Sequence, residues 1–133
     1  MNKNFATVVA FVIGVLVVSL TMHAHHSFAP FDTEHVVDIT GTVTQFEWTN
    51  PHAYIHLDVK SDKGGVEKWA AELTGLAMLV RAGWSRDVVK PGDQVTVHGH
   101  RAKDGRTFMV IRSVVLPDGR ELKNGALPPG SFK

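Results

Sequence analysis

The sequence predicts a mostly β protein: a small OB-like five-stranded barrel with one short helix between strands three and four, preceded by a cleavable signal peptide. Three observations lead there. Apolar and polar residues alternate with period two in several short runs after residue 36. Clusters of Gly, Pro, Asn and Asp separate those runs. Leu76, Leu79 and Val80 have helical spacing between the third and fourth runs. Three strands, a helix and two strands is the order of a partly open Greek-key OB barrel. A different small β-barrel or an α+β roll uses similar elements and stays open at this level.

The leader comes first. Lys3 supplies a positive start, Val8 to Leu20 is almost unbroken apolar sequence, and Thr21-Met22-His23-Ala24 is a polar exit ending in a small residue. Residues 1–24 are therefore read as a signal peptide, with an uncleaved anchor as the alternative. The apolar run is shorter than the roughly 18 residues of a comfortable membrane span, so no span is expected after cleavage. Ala24 suits the −1 position and Met22 does not suit −3; a cut after Ala29 would place Pro30 next, which disfavours it. Cleavage after Ala24 leaves His25-His26-Ser27-Phe28 at the new N-terminus.

Residues 25–35 read as an N-terminal arm, with Pro30 interrupting any helix and Phe28 and Phe31 packing back on the domain. The barrel domain spans 36–123. In the first strand Val37, Ile39, Gly41 and Val43 alternate with polar residues, and Gln45 to Trp48 continue it through a bulge. Gly41 suits the curvature of a small barrel. Thr49-Asn50-Pro51-His52 is a turn by its chemistry. Ala53, Ile55, Leu57 and Val59 then form the inward phase of a second strand, and Ser61 to Gly65 form a hairpin loop. Val66 to Leu73 is the third strand, Leu76 to Val80 the helix, and Ser85 to Val88 a further helical turn. Lys90-Pro91-Gly92-Asp93 turns the chain into a fourth strand, where Val95, Val97 and Gly99 alternate with Gln94, Thr96, His98 and His100. Thr107 to Leu116 is the fifth strand, and Arg120 to Leu122 a short terminal one. Residues 124–133 read as a flexible tail.

The 133 residues suffice for one domain. Lys plus Arg total 14 and Asp plus Glu total 13, and with Lys3 removed the mature part is formally neutral. No basic excess is available to neutralise phosphates, so no nucleic-acid partner is expected. The absence of cysteine excludes disulfides, thiolate metal sites and cysteine nucleophiles. Histidine is the unusual residue: there are eight, seven of them after the leader.

His25-His26-Ser27-Phe28 after a leader, Glu47-Trp48-Thr49-Asn50-Pro51-His52, Gly83-Trp84 and Lys90-Pro91-Gly92-Asp93 together resemble domain-of-unknown-function family 6152. The resemblance covers nearly the whole mature chain. It implies a short secreted bacterial protein of one domain, periplasmic or released, and supplies no activity.

Function is then left to the histidines. If His25 is the first mature residue, its α-amine and Nδ1 can chelate one metal, and a second histidine completes a T-shaped nitrogen site. Nitrogen-rich, near-planar sites favour Cu(II). His26 offers a chelate through its imidazole, the amine and the intervening amide. His52, in a turn that can approach the arm, is the third candidate ligand. His98 and His100, two apart on one strand and so on one face, are further candidates. Against each stands a plainer reading: a polar chain start, a turn histidine bonded to a carbonyl, a solvated strand face. His56 beside Asp58 and His35 beside Glu34 have weaker cases. Trp48, Trp69 and Trp84 read as core or rim packing rather than stacking platforms.

No nucleophile elbow, phosphate loop or His-Glu-x-x-His motif is present, and Glu47, Asp58 and Glu72 have no informative spacing. The expectation is an exported protein that binds copper through its mature N-terminal histidines without catalysis. The alternative is a metal-independent OB-like interaction domain for a peptide, glycan or envelope partner.

Overall fold

The computed structural model describes residues 29–125. The expected signal peptide and its cleavage point, His25, His26, Phe28 and residues 126–133 lie outside the described residues. The element order is β1 (Val37–Glu47), β2 (Tyr54–Lys60), β3 (Val66–Glu72), α1 (Leu76–Arg81), β4 (Gln94–Arg101), β5 (Phe108–Val115) and β6 (Glu121–Lys123). The sheet runs β3-β2-β1-β4-β5-β6, and an additional β3–β5 pairing closes its first five strands into a barrel. The chain is thus mostly β, with a closed five-stranded OB-like barrel and one short helix. Among the described residues no helix is long and apolar enough to cross a membrane.

Period-two alternation decides which side chains fill the barrel. Val43, Ile55, Leu57, Val97, Met109, Ile111 and Val114 are at most 1% exposed and pack together inside, with Leu79 of α1 among them. Each contributes about 1.5–3 kcal/mol by leaving water. Trp69 and Trp84 join the same cluster, and Trp48 packs against it edge-on to Phe46. The Trp84 indole N–H donates to the Lys123 carbonyl at 2.8 Å, tying the chain after α1 to β6.

Two irregularities set the register. β1 carries a bulge between Val43 and Gln45, which turns Phe46 toward the interior cluster and leaves Glu47 opposite Tyr54. A second register shift between His98 and Gly99 places Arg112 as an extra residue of β5. Asn124 serves that bulge: buried, it donates through Nδ2 to the Ile111 carbonyl at 2.7 Å, and its Oδ1 accepts from the Thr74 N–H at 2.7 Å.

Close strand approach explains two glycines. A Cβ on Gly41 would lie 2.8 Å from the Asp58 carbonyl oxygen and 2.9 Å from Val59 Cγ2. A Cβ on Gly99 would run into the Val110 carbonyl oxygen, which the barrel holds in place. Ser85 to Val88, expected as a further helical turn, closes a single i→i+3 turn with Val88 N–H donating to the Ser85 carbonyl at 3.2 Å.

The arm docks at the β4–β5 hairpin. Phe31 bridges to Ala102 and stacks on Phe108 with ring centroids 5.8 Å apart. The Asp32 N–H donates to the Arg101 carbonyl at 2.9 Å, and the Lys103 N–H to the Pro30 carbonyl at 2.8 Å.

Candidate functional site

His52 and Tyr54 and His56 of β2 share one phase, outward because Ala53, Ile55 and Leu57 fill the interior phase. The turn before β2 is fixed at the start of α1, where Asn50 Oδ1 accepts from the Leu76 N–H at 3.1 Å. Backbone bonds between Ala53 and Leu73 and between Ala53 and Thr74 then set His52 beside the end of β3.

Register builds the rest. Glu47, Tyr54 and Glu72 stand directly opposite one another across β1, β2 and β3. The Glu72 carboxylate meets His52 Nδ1, and the Glu47 carboxylate accepts from or shares a proton with His56 Nε2 at 2.8 Å. Burial first, then the charges of Glu72 and Glu47, push the Tyr54 phenol above its ordinary value of 10.0.

The barrel's closing seam extends this face. Glu72 pairs with Val110 in the parallel β3–β5 contact, and Val110 pairs with His100 across β5–β4. Two strand spacings, about 10 Å of sheet, separate the backbones of Glu72 and His100. His100 is 1% exposed, with Nδ1 at 2.9 Å from the His35 carbonyl oxygen and 3.0 Å from that of Asp32. Carbonyl oxygens only accept, so His100 Nδ1 donates.

His98 shares the outward phase of β4 with His100 but turns to β1, where its Nδ1 donates to Asp38 Oδ1 at 2.5 Å. His35 Nδ1 pairs with Asp32 Oδ2 at 2.9 Å. The structure therefore leaves His52, beside β2, and His100, on β4, three strand spacings apart with β3 and β5 between them, and gives His98 and His56 separate carboxylate partners. Among the described residues no group of three or more His, Cys, Asp or Glu side chains is arranged to hold a metal ion. A groove of about 440 Å³ between α1 and β6, lined by Met78, Arg81, Glu121 and Lys123, contains no histidine.

The sequence reading passed over Glu72 and Glu47. A signal for the first existed: a β2–β3 hairpin centred on Lys63 pairs Tyr54 with Glu72, and Ala71 and Leu73 put Glu72 in the outward phase. No local signal announces the β3–β5 seam.

Fold and face define the class: a small closed OB-like barrel carrying paired histidines and carboxylates on its outer sheet surface. The chain belongs to DUF6152, a family of unknown function, which matches residues 12–110. No curated protein matches it. Among solved structures it is similar to the mitochondrial single-stranded DNA binding protein Rim1 of S. cerevisiae, at 16% identity over 68% of this chain and 96% of that one, with a TM-score of 0.47. A selenomethionine-labelled crystal structure of the same yeast protein matches at 18% identity over 68% and 97%, with a TM-score of 0.42. The likeness concerns the chain fold alone. Both matches are described as single-stranded DNA binding proteins, a finding that runs against the expectation of no nucleic-acid partner drawn from net charge. Net charge sums the whole surface, whereas an OB barrel meets a strand through local stacking and local charge.

Proposed function

We propose that the chain is an exported copper-binding protein whose site joins the mature N-terminus, through His25 and His26, to His52 and His100, without catalytic turnover. The reading is supported by the chemistry of the two histidines: the Glu72 carboxylate meets His52 Nδ1, and the backbone carbonyls of Asp32 and His35 accept from His100 Nδ1. Metal-binding histidines are built this way, their other nitrogen held by a carboxylate or carbonyl. The arm's contact point lies close by. Phe31 sits over Ala102 and Phe108, each two residues along its strand from His100 and Val110. Ala29 and Pro30 form a turn, and the three residues from Ala29 back to His26 reach about 10 Å when extended. The α-amine and imidazole of His25 would then add two nitrogens to those of His52 and His100, a set that favours copper among divalent ions. His98, ion-paired with Asp38, is a reserve ligand. Export and cleavage after Ala24 belong to the proposal, since the free amine is created by the cut.

The test is a Cu(II) competition titration on protein beginning at His25, alongside the same chain with one glycine added before His25. Tight binding lost on adding the glycine supports the N-terminal site. Equal affinity in both chains overturns it. A correctly processed chain that binds no copper favours the metal-independent reading, in which Tyr54 between Glu47 and Glu72 meets a peptide, glycan or envelope partner.

A further inference from the structure

We infer that the groove between α1 and β6 is a binding site for a small amphipathic monoanion, an aliphatic carboxylate, independent of the histidine-bearing face. The groove holds about 440 Å³ and is lined by Met78, Arg81 and Ala82 on one wall and by Glu121, Lys123 and Gly125 on the other. Small-molecule pockets span about 300–1,000 Å³. Helical spacing builds the first wall. Met78, Arg81 and Ala82 lie three and four positions apart and share one face, while Leu79 is the side chain that α1 buries. Met78 is thereby left 37% exposed. Strand alternation builds the second wall. Glu121 and Lys123 project from the same side of β6, and Leu122 between them packs against the core.

The walls are held at a fixed separation. The Trp84 indole N–H donates to the Lys123 carbonyl at 2.8 Å, and Asn124 Oδ1 accepts from the Thr74 N–H at 2.7 Å. β6 ends the sheet, pairing with β5 alone among the described strands. Glycine keeps one end of the groove open: a Cβ on Gly125 would lie 3.2 Å from Thr74 Cγ2 and 3.4 Å from Met78 Cβ.

Charge selects the ligand. Among the described residues no ion pair takes up Arg81, Lys123 or Glu121. Two cations against one carboxylate leave a single positive charge in excess, which complements one anionic group. A second negative charge on the ligand would meet Glu121. The apolar chain has Met78 and Ala82 to lie on, and the methylene stems of Arg81 and Lys123 to cover it. Met78, unbranched and adaptable, suits chains of more than one length.

The experiment titrates the protein with sodium hexanoate, octanoate and decanoate, followed by NMR at the Met78 methyl and the amides of α1 and β6. Saturable shifts should appear there, and each added methylene should tighten binding up to about fourfold. Octylammonium, with the same chain and the opposite charge, should bind more weakly than octanoate, and octanedioate no more tightly. Arg81→Gln and Lys123→Gln should each weaken octanoate binding about 2–5-fold. Glu121→Gln should tighten it by a similar factor. Equal affinity for octanoate and octylammonium overturns the inference, as does the absence of saturable shifts with decanoate. Both comparisons use the unaltered protein and decide the matter even where a variant fails to fold. Shifts seen only in a chain ending at Gly125 would mean that residues 126–133 fill the groove, and would overturn the site in the whole protein.

Discussion

Glu72 and His100 are joined through one residue: Val110 pairs with Glu72 in parallel and with His100 in the antiparallel sense. The barrel's closing seam thus carries the carboxylate partner of His52 on β3, with a histidine one strand beyond it on β4. Twenty-eight positions of chain separate them, yet they face the same side of the sheet.

Tyr54 reports on this face directly, because it is the sole tyrosine of the chain. Its phenol is held above 10.0 by burial and by Glu72 and Glu47. Ultraviolet titration of the folded protein should give a midpoint above that value, and Glu72→Gln should lower it. A midpoint at or below 10.0 in the parent would remove the electrostatic account of the row.

The arm should be held most firmly in mildly acid solution. His35 is raised above 6.5 by its hydrogen bond to Asp32 and by that carboxylate's charge. Asp32 is lowered below 3.8 first by the His35 bond and then, against some desolvation, by the Glu34 N–H. A histidine raised on folding stabilises below 6.5, and that contribution is lost as pH rises through its folded value. An aspartate lowered on folding stabilises above 3.8, and its contribution is lost as pH falls through its folded value. Both act together between 3.8 and 6.5. NMR titration of the His35 ring should find its midpoint raised, and Asp32→Asn should bring it down. An unchanged midpoint in that variant argues against the pair.

Gly99→Ala should be among the most destabilising single substitutions, because the new methyl meets a backbone carbonyl in a closed barrel. A loss of about 2–4 kcal/mol in urea unfolding is expected, in the range of overpacking in a dense core. Gly65→Ala is the control for backbone conformation: its Cβ would meet nothing within 4 Å, although its φ of 88° adds strain. If the two variants lose equal stability, steric approach at Gly99 is not the reason for the glycine.

Asn124→Ala removes an acceptor from the Thr74 N–H and a donor from the Ile111 carbonyl. Each backbone group left unsatisfied costs about 1–3 kcal/mol. Hydrogen exchange at Thr74 should accelerate markedly, and unchanged protection there would mean the bond is dispensable.

The legible part of the fold is the part written in neighbours. Alternation in Val37 to Val43 and Ala53 to Val59 gave both inward phases, and the apolar stripe Leu76, Leu79 identified the helix whose Leu79 is buried in the core. Ser85 to Val88, expected as one helical turn, closes as a single i→i+3 turn, which shares the local composition of a helix start. The bulge between Val43 and Gln45 was legible where the alternation of β1 breaks, whereas Arg112, the extra residue of β5, has no distinguishing chemistry and is extra only relative to its partner strand.

By itself the sequence determined the β-rich class, the strand order, the inward residues and the histidines worth examining. These follow from period-two patterning and turn chemistry, which act over a few residues. Only the tertiary structure decided that His52 is backed by Glu72, that His100 is clamped by the carbonyls of Asp32 and His35, and that Val110 carries one face across to the other. The physical reason is closure. The β3–β5 pairing joins strands distant in sequence, and its register is set by how five twisted strands and two bulges fit around one core.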